Sequence, residues 1–370
     1  MASASAVQAT PSPSAASPAP SFTERPWVRR AGALLLLVVL VVAPLVLPQF
    51  ANETLARVGV FAVAVLGLNV VMGYTGQVSL GQIFFLGLGA YVTAYGVQHD
   101  WNVVVVFLLA CVVPAVAGLV VALAAARLGG LAIAMVTIAL PIVGVPLAKR
   151  LGDVTGGSQG ISARMGGAPE GSGLYNDQWT LYVVLVIGGI VFLLTRSLVR
   201  GKFGRAFAIV KGNEHVASSM GISPYRYKVL AFTIASLIGG VSGFLYMYVI
   251  QYTSPETMSF GHSIQLLAAM VIGGAGSIVG SILGGAYYVL VPQLTNEIDA
   301  SLTALLQGAI LLAVLFVLPG GLASLLRAVT RGRRRSGAGN GAAAPSTTPP
   351  STAGSAPAAG EPETERHGHA

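Results

Sequence analysis

Asn69, Gln77, Ser79 and Gln82 place amide and hydroxyl groups in an otherwise apolar, glycine-rich stretch, Asn69-Val70-Val71-Met72-Gly73-Tyr74-Thr75-Gly76-Gln77-Val78-Ser79-Leu80-Gly81-Gln82. Such groups donate and accept hydrogen bonds without carrying charge. Gly73, Gly76 and Gly81 weaken helix. Polar groups left unsatisfied in hydrocarbon are expensive, so a broken segment at membrane depth is tolerated only where protein or a water-filled path covers it. The stretch therefore reads as a broken or re-entrant helix beside a translocation route. A tight loop at the inner surface, with small residues for helix packing as in Gly87-Leu88-Gly89, accounts for the same glycines.

A second constellation lies in the basic loop Arg196 to Lys228. Asn213 can cap a short helix, Glu214 complements its positive end, Gly221 can take the left-handed conformation that ends it, and Pro224 blocks continuation. Phe203, Ala206, Phe207 and Val210 recur at helical spacing, and Val216, Ala217 and Met220 can share another face. Arg205, Lys211, Glu214 and His215 flank these apolar positions. A capped helix between membrane spans suits docking to a cytoplasmic partner; a solvated helix lying on the inner membrane surface is the alternative.

Other chemistry is missing from the sequence. Gly201-Lys202 is followed by Phe203, without the glycine-rich lead and Ser/Thr of a phosphate cradle. No Asp, Glu, Lys or Arg falls in the middle of an expected span, which argues against proton coupling. Ser158, His262 and the acidic loop residues form no nucleophile and base arrangement. Cys111 is the single cysteine, so no disulfide can form within one chain. His367 and His369 lie in a low-complexity tail and are expected to be incidental.

The elements that position these residues follow from composition. Hydrophobic residues make up 54% and charged residues 9% of the 370, with mean hydropathy +0.75; soluble domains are roughly one-quarter charged. The fold class expected is an all-α, polytopic membrane bundle of about ten helices, at 31–47, 57–73, 80–98, 102–126, 130–148, 179–198, 228–251, 262–277, 278–292 and 303–319. The +8 net charge fits positive-inside topology better than nucleic-acid binding. With Arg25, Arg29 and Arg30 inside, parity puts Arg127, the 196–228 loop, Arg327 and Arg331–Arg335 inside. Glu53, Asp100, Asp153, Asp177, Glu256, Glu297 and Asp299 fall outside, and Lys149-Arg150 is a basic exception predicted outside. Arg29-Arg30 precedes an uncleaved first span and not a signal peptide. Residues 1–24 and 331–370 are expected to be disordered, leaving 25–330 as the transmembrane domain with the 196–228 loop inside it.

Gly273-Gly274-Ala275-Gly276-Ser277-Ile278-Val279-Gly280, followed by Gly284-Gly285-Ala286-Tyr287, echoes Gly73 to Gly81 followed by Gly89-Ala90-Tyr91. Paired interruptions in two halves point to a central path. With Gly67-Leu68-Asn69 through Gly81, Thr155-Gly156-Gly157-Ser158-Gln159-Gly160-Ile161, Gly204-Arg205-Ala206 through Asn213-Glu214 and Met220-Gly221-Ile222, the chain resembles the LivM/LivH-type permeases of branched-chain amino-acid ABC importers, closer to the LivM branch, from about residue 57 to 320. The alanine-rich segment usual before the final glycine is diluted here to Val216-Ala217-Ser218-Ser219.

The resemblance implies a type II-like ABC importer permease in a bacterial-type cytoplasmic membrane, both termini cytoplasmic. Its implied partners are a homologous permease, two cytoplasmic ATPases that hold ATP and Mg, and an extracytoplasmic solute-binding protein; this chain binds no cofactor. The loop would be a coupling helix, with Phe203, Arg205, Phe207, Lys211, Glu214, His215, Ala217 and Gly221 at the ATPase. The transport path would draw on Asn69, Gly73, Gly76, Gln77, Ser79, Gln82 and Gln265, an uncharged set suited to a zwitterionic amino acid, with urea or short amides as the alternative cargo. A gradient-driven channel or secondary transporter and a membrane scaffold are the competing classes.

Overall fold

The computed structural model describes residues 41–127, 130–169, 171, 173–298, 303–317 and 321–324. The two expected tails, Arg25, Arg29 and Arg30, Arg327, the Arg331–Arg335 cluster and most of the expected first span lie outside them; residues 41–46 are helical.

Twelve labelled helices follow: α1 (Gln49–Leu68), α2 (Gln82–Gln98), α3 (Val103–Ala125), α4 (Gly130–Arg150), the short α5 (Gly152–Thr155), α6 (Asn176–Arg200), α7 (Lys202–Gly212), α8 (Glu214–Ser219), α9 (Pro224–Ile250), α10 (Phe260–Gly273), α11 (Ile278–Ile298) and α12 (Thr303–Val317). A π-helical turn, Asn69–Tyr74, continues α1. The β structure described is the antiparallel pair β1 (Ile161–Ser162) and β2 (Tyr252–Thr253).

Among the described residues, six helices are long and apolar enough to cross a membrane: Gln49–Tyr74, Val103–Ala125, Ile133–Arg150, Asn176–Arg200, Pro224–Ile250 and Ile278–Asn296. The stretches expected at 80–98 and 262–277 form the shorter α2 and α10, and the described part of the stretch expected at 303–319 forms α12. Backbone geometry explains the first two. Residues 76–81 are non-helical, and α2 begins only at Gln82; α10 stops at Gly273 because Gly274 takes φ +116°.

The core runs along α1 and α9. Of the apolar window in each, 67% is buried, against 17% in α6, so α6 lies at the periphery. α9 packs on α1, α2 and α3, while α1 also meets α6 and α11. Contact between α2 and α9 depends on small residues: a Cβ at Gly89 would come within 2.6 Å of Gly240 O. Without a hydrophobic force between helices in lipid, such backbone proximity supplies the dispersion contact that holds them.

The two ends of the bundle are separately tied. At one end, Lys149 Nζ pairs with Glu256 Oε1 at 2.9 Å, Gln98 donates to Ser162 O, and Asn52 Nδ2 donates to Asp177 Oδ2 at 2.8 Å. The basic exception in the topology therefore sits beside an acidic residue expected on its own side. At the other end, Tyr225 Oη reaches Leu123 O, and α7 packs against the π turn.

Candidate functional site

Two structures meet at this second end: the polar break after α1 and the loop carrying α7 and α8. Asn69, fully buried, begins the π turn. Its Nδ2 donates to Ser277 O (2.9 Å) and Ser281 Oγ (3.0 Å), and its Oδ1 accepts from Gly276 N–H (2.7 Å). Thus a side chain of the first glycine segment joins the second, and the sequence echo becomes a physical contact. Gly73 lies across from Gly276: a Cβ there would fall on Asn69 Oδ1 and lie 2.5 Å from Gly276 N.

Thr75, Gln77 and Gln82 are also partnered. Thr75 Oγ1 donates to Val71 O and accepts from Gln77 Nε2 at 2.9 Å. Gln82 Nε2 donates to Ala235 O at 3.0 Å across α9, in a slot left by Gly67 and Gly239. Leu80 N–H donates to Thr137 Oγ1 of α4. Ser79 is buried. Unpaired amides here would cost about 1–3 kcal/mol each, so these contacts fix the irregular backbone. Gln265 lies apart, lining a pocket of ≈ 210 Å³ with Tyr287, Tyr288 and Gln307; its Nε2 donates to Gln307 Oε1 at 3.3 Å. The structure thus unites Asn69, Gly73, Gly76, Gln77, Ser79 and Gln82 as a packed polar framework and leaves Gln265 elsewhere.

The loop begins at Gly201, where extended backbone separates α6 from α7. Asn213, also extended, caps α8 as expected: its Oδ1 accepts from His215 N–H (2.8 Å) and Val216 N–H (3.2 Å). Gly221 takes φ +77°, and Ile222 N–H returns to Ala217 O, closing the C-terminal turn. Pro224 then opens α9, where its missing N–H costs no helical bond.

Burial divides the expected docking set. Ala206, Phe207, Val210 and Ala217 face inward, with Phe207 edge-on to Tyr227. Phe207 and Ala217 therefore hold the loop in place, and their side chains are not on its surface. Phe203, Val216 and Met220 are exposed at 45%, 51% and 62%; Arg205, Lys211, Glu214, His215 and Gly221 are also exposed.

Lys228 is a site residue that sequence reasoning did not single out. It is buried, and its Nζ lies 2.5 Å from Glu214 Oε1, whose side chain is half-exposed. This ion pair ties the start of α8 to the first turns of α9. Ser277 and Ser281 were likewise unassigned; the Gly276-Ser277 run was a signal, but pairing across some two hundred residues was not. Among the described residues, no group of three or more His, Cys, Asp or Glu side chains is disposed to hold a metal ion.

A polytopic helical bundle with a capped loop at one end and a glycine-lined polar framework beneath it has the architecture of a transport permease. The chain belongs to the family of branched-chain amino acid transport system permease components, whose profile matches residues 50–315. It is similar to the high-affinity branched-chain amino acid transport system permease protein LivM of Salmonella typhimurium, 29% identical over 321 residues, covering 79% of this chain and 74% of that protein. The Escherichia coli LivM gives the same identity and coverage. LivH of Escherichia coli is 25% identical over 165 residues, 40% of this chain and 53% of that protein. The autoinducer 2 import system permease protein LsrC of Klebsiella pneumoniae is 29% identical over 156 residues, 40% of this chain and 43% of that protein. No solved structure matches the chain significantly. The chain is a membrane permease subunit of an ABC importer.

Proposed function

We propose that this chain pairs with a homologous permease and, driven by two cytoplasmic ATPases, imports a branched-chain or other net-neutral amino acid delivered by an extracytoplasmic binding protein. The observation that carries this reading is α8, a capped helix whose Val216 and Met220 are exposed one turn apart beside a loop rich in Lys and Arg. Exposed apolar residues on a cytoplasmic loop cost little when a partner covers them. ATP and Mg would sit in the ATPases; this chain would bind neither and catalyse nothing. Its orientation would place the α7–α8 loop and both termini in the cytoplasm, following the Lys/Arg bias.

Cargo follows from chemistry and kinship together. The side chains of Asn69, Gln77, Ser79 and Gln82 are themselves uncharged, which suits a solute with no net charge. Two LivM relatives are named for branched-chain amino acids, while LsrC is named for autoinducer 2, so the permease scaffold alone does not choose the solute. Competition against labelled leucine by urea, short amides and other amino acids, in the reconstituted complex, tests the assignment. Displacement by isoleucine and valine but not by urea is expected; displacement by urea alone would replace the cargo.

A further inference from the structure

Lys211 stands at the end of α7, in its last turn, and its Nζ donates to Gly73 O at 2.7 Å. That carbonyl lies at the C-terminal end of the π turn, where carbonyls lack helical partners and a cation is favoured. Among the described residues, the ion pairs are Lys149–Glu256 and Lys228–Glu214, so the ammonium of Lys211 is committed to a backbone carbonyl and not to a carboxylate. Gly76 makes room for the stem: it takes φ +72°, and a Cβ there would come within 3.0 Å of Lys211 Cγ. Ala206, Phe207 and Val210 seat the rest of α7 against the bundle.

The other side of the same turn is held by Asn69, through Gly276, Ser277 and Ser281. Residues 69–74 are therefore gripped by the loop on one side and by the second glycine segment on the other. A π turn carries one residue more than the α ladder accommodates, and such turns occur frequently at functional sites. Energetic coupling between sites requires an element whose state both sites bias, and this turn is the element both sites touch.

We propose that Lys211 is the positioning residue that transmits displacement of the α7–α8 loop to the intramembrane glycine contact Gly73–Gly276, with the π turn as the part that moves. This rests on the importer reading above. Phe207 and Ala217 keep the loop rigid, so force applied at Val216 and Met220 reaches Lys211 without being absorbed in the loop. Lys211 then pulls on the backbone at Gly73, and Asn69 carries the shift to Gly276.

The test uses the complete complex of both permeases, ATPases and binding protein, comparing wild type with Lys211→Met, Lys211→Arg and Gly76→Ala, and reading transported solute per ATP hydrolysed. Lys211→Met keeps the stem and removes the cation; assembly and ATP hydrolysis are expected to persist while solute per ATP falls about tenfold, the scale of one lost charge-assisted hydrogen bond. Lys211→Arg is expected to recover most of the ratio. Gly76→Ala, which keeps the lysine but crowds its stem, is expected to lower the ratio independently. An unchanged ratio in both Lys211→Met and Gly76→Ala overturns the proposal, as does a parallel loss of hydrolysis and uptake that arginine does not rescue. Absence of ATP-dependent uptake in wild type is a different result: it overturns the importer reading itself.

Discussion

Gly276 donates its backbone N–H to Asn69 Oδ1 at 2.7 Å, joining positions 207 residues apart where two glycine-interrupted segments meet. The same asparagine gives both Nδ2 hydrogens to Ser277 and Ser281. Replacing Asn69 with Leu removes three hydrogen bonds and strands Gly276 N–H, for an expected cost of about 2–4 kcal/mol, whereas Ser281→Ala removes one partner, at about 1 kcal/mol. Thermal unfolding of the purified chain in detergent checks the ranking. Equal midpoints for the two variants would remove Asn69 from its central place.

Gly73→Ala tests the steric half of that contact. The added methyl would meet Asn69 Oδ1 and Gly276 N, and overpacking of this kind costs about 1–3 kcal/mol. A lowered unfolding midpoint is expected, together with reduced uptake. An alanine variant as stable as wild type would show that the two backbones have room to separate.

Glu214 and Lys228 supply a charge-reversal experiment. Breaking a buried pair costs about 3–5 kcal/mol, and the half-exposed Glu214 reduces this to about 1–2 kcal/mol because water screens it. Glu214→Lys sets two cations together and is expected to displace α8 and lower uptake, while Glu214→Lys with Lys228→Glu is expected to restore a large part of it. Equal loss in the single and double variants would separate the pair from function.

Val216→Asp and Met220→Asp change exposed side chains, so the chain's own stability should move by less than about 0.5 kcal/mol. Co-purification with the ATPases should fall sharply in both. Full retention of the ATPases by the double variant would move docking away from α8.

Orientation is checked in intact cells with Cys111→Ser as background. Ser158→Cys, near the Lys149–Glu256 end, is expected to react with a membrane-impermeant maleimide, and Ser218→Cys on α8 is expected to react only after permeabilisation. The opposite pattern would invert the topology.

Much of this was legible in particular residues. Asn213 and Gly221 announce both ends of α8 because capping is local: the groups involved lie within a few residues of one another. The membrane class follows from the apolar runs for the same reason. Which apolar face of the loop turns inward is not local. Phe207, Val210 and Ala217 look as fit for docking as Val216 and Met220, and packing against Tyr227 and the bundle decides between them. Asn69 reads from sequence as a path residue because an amide in an apolar run asks for a partner; that the partner is Gly276, Ser277 and Ser281 depends on how α1 and α11 come together. Lys228 is concealed among the basic residues of the loop, since nothing in its neighbours marks it as buried. Span length misled at 262–277, where the left-handed demand at Gly274 ends a helix that hydropathy alone would extend.

The central claim is that this permease moves solute with energy supplied from outside the chain. The most direct measurement is uptake of labelled leucine into proteoliposomes containing the full complex, repeated with the ATPases omitted and with the binding protein omitted. Uptake that needs ATP and every component is predicted; leucine accumulation by the permeases without the ATPases would contradict it.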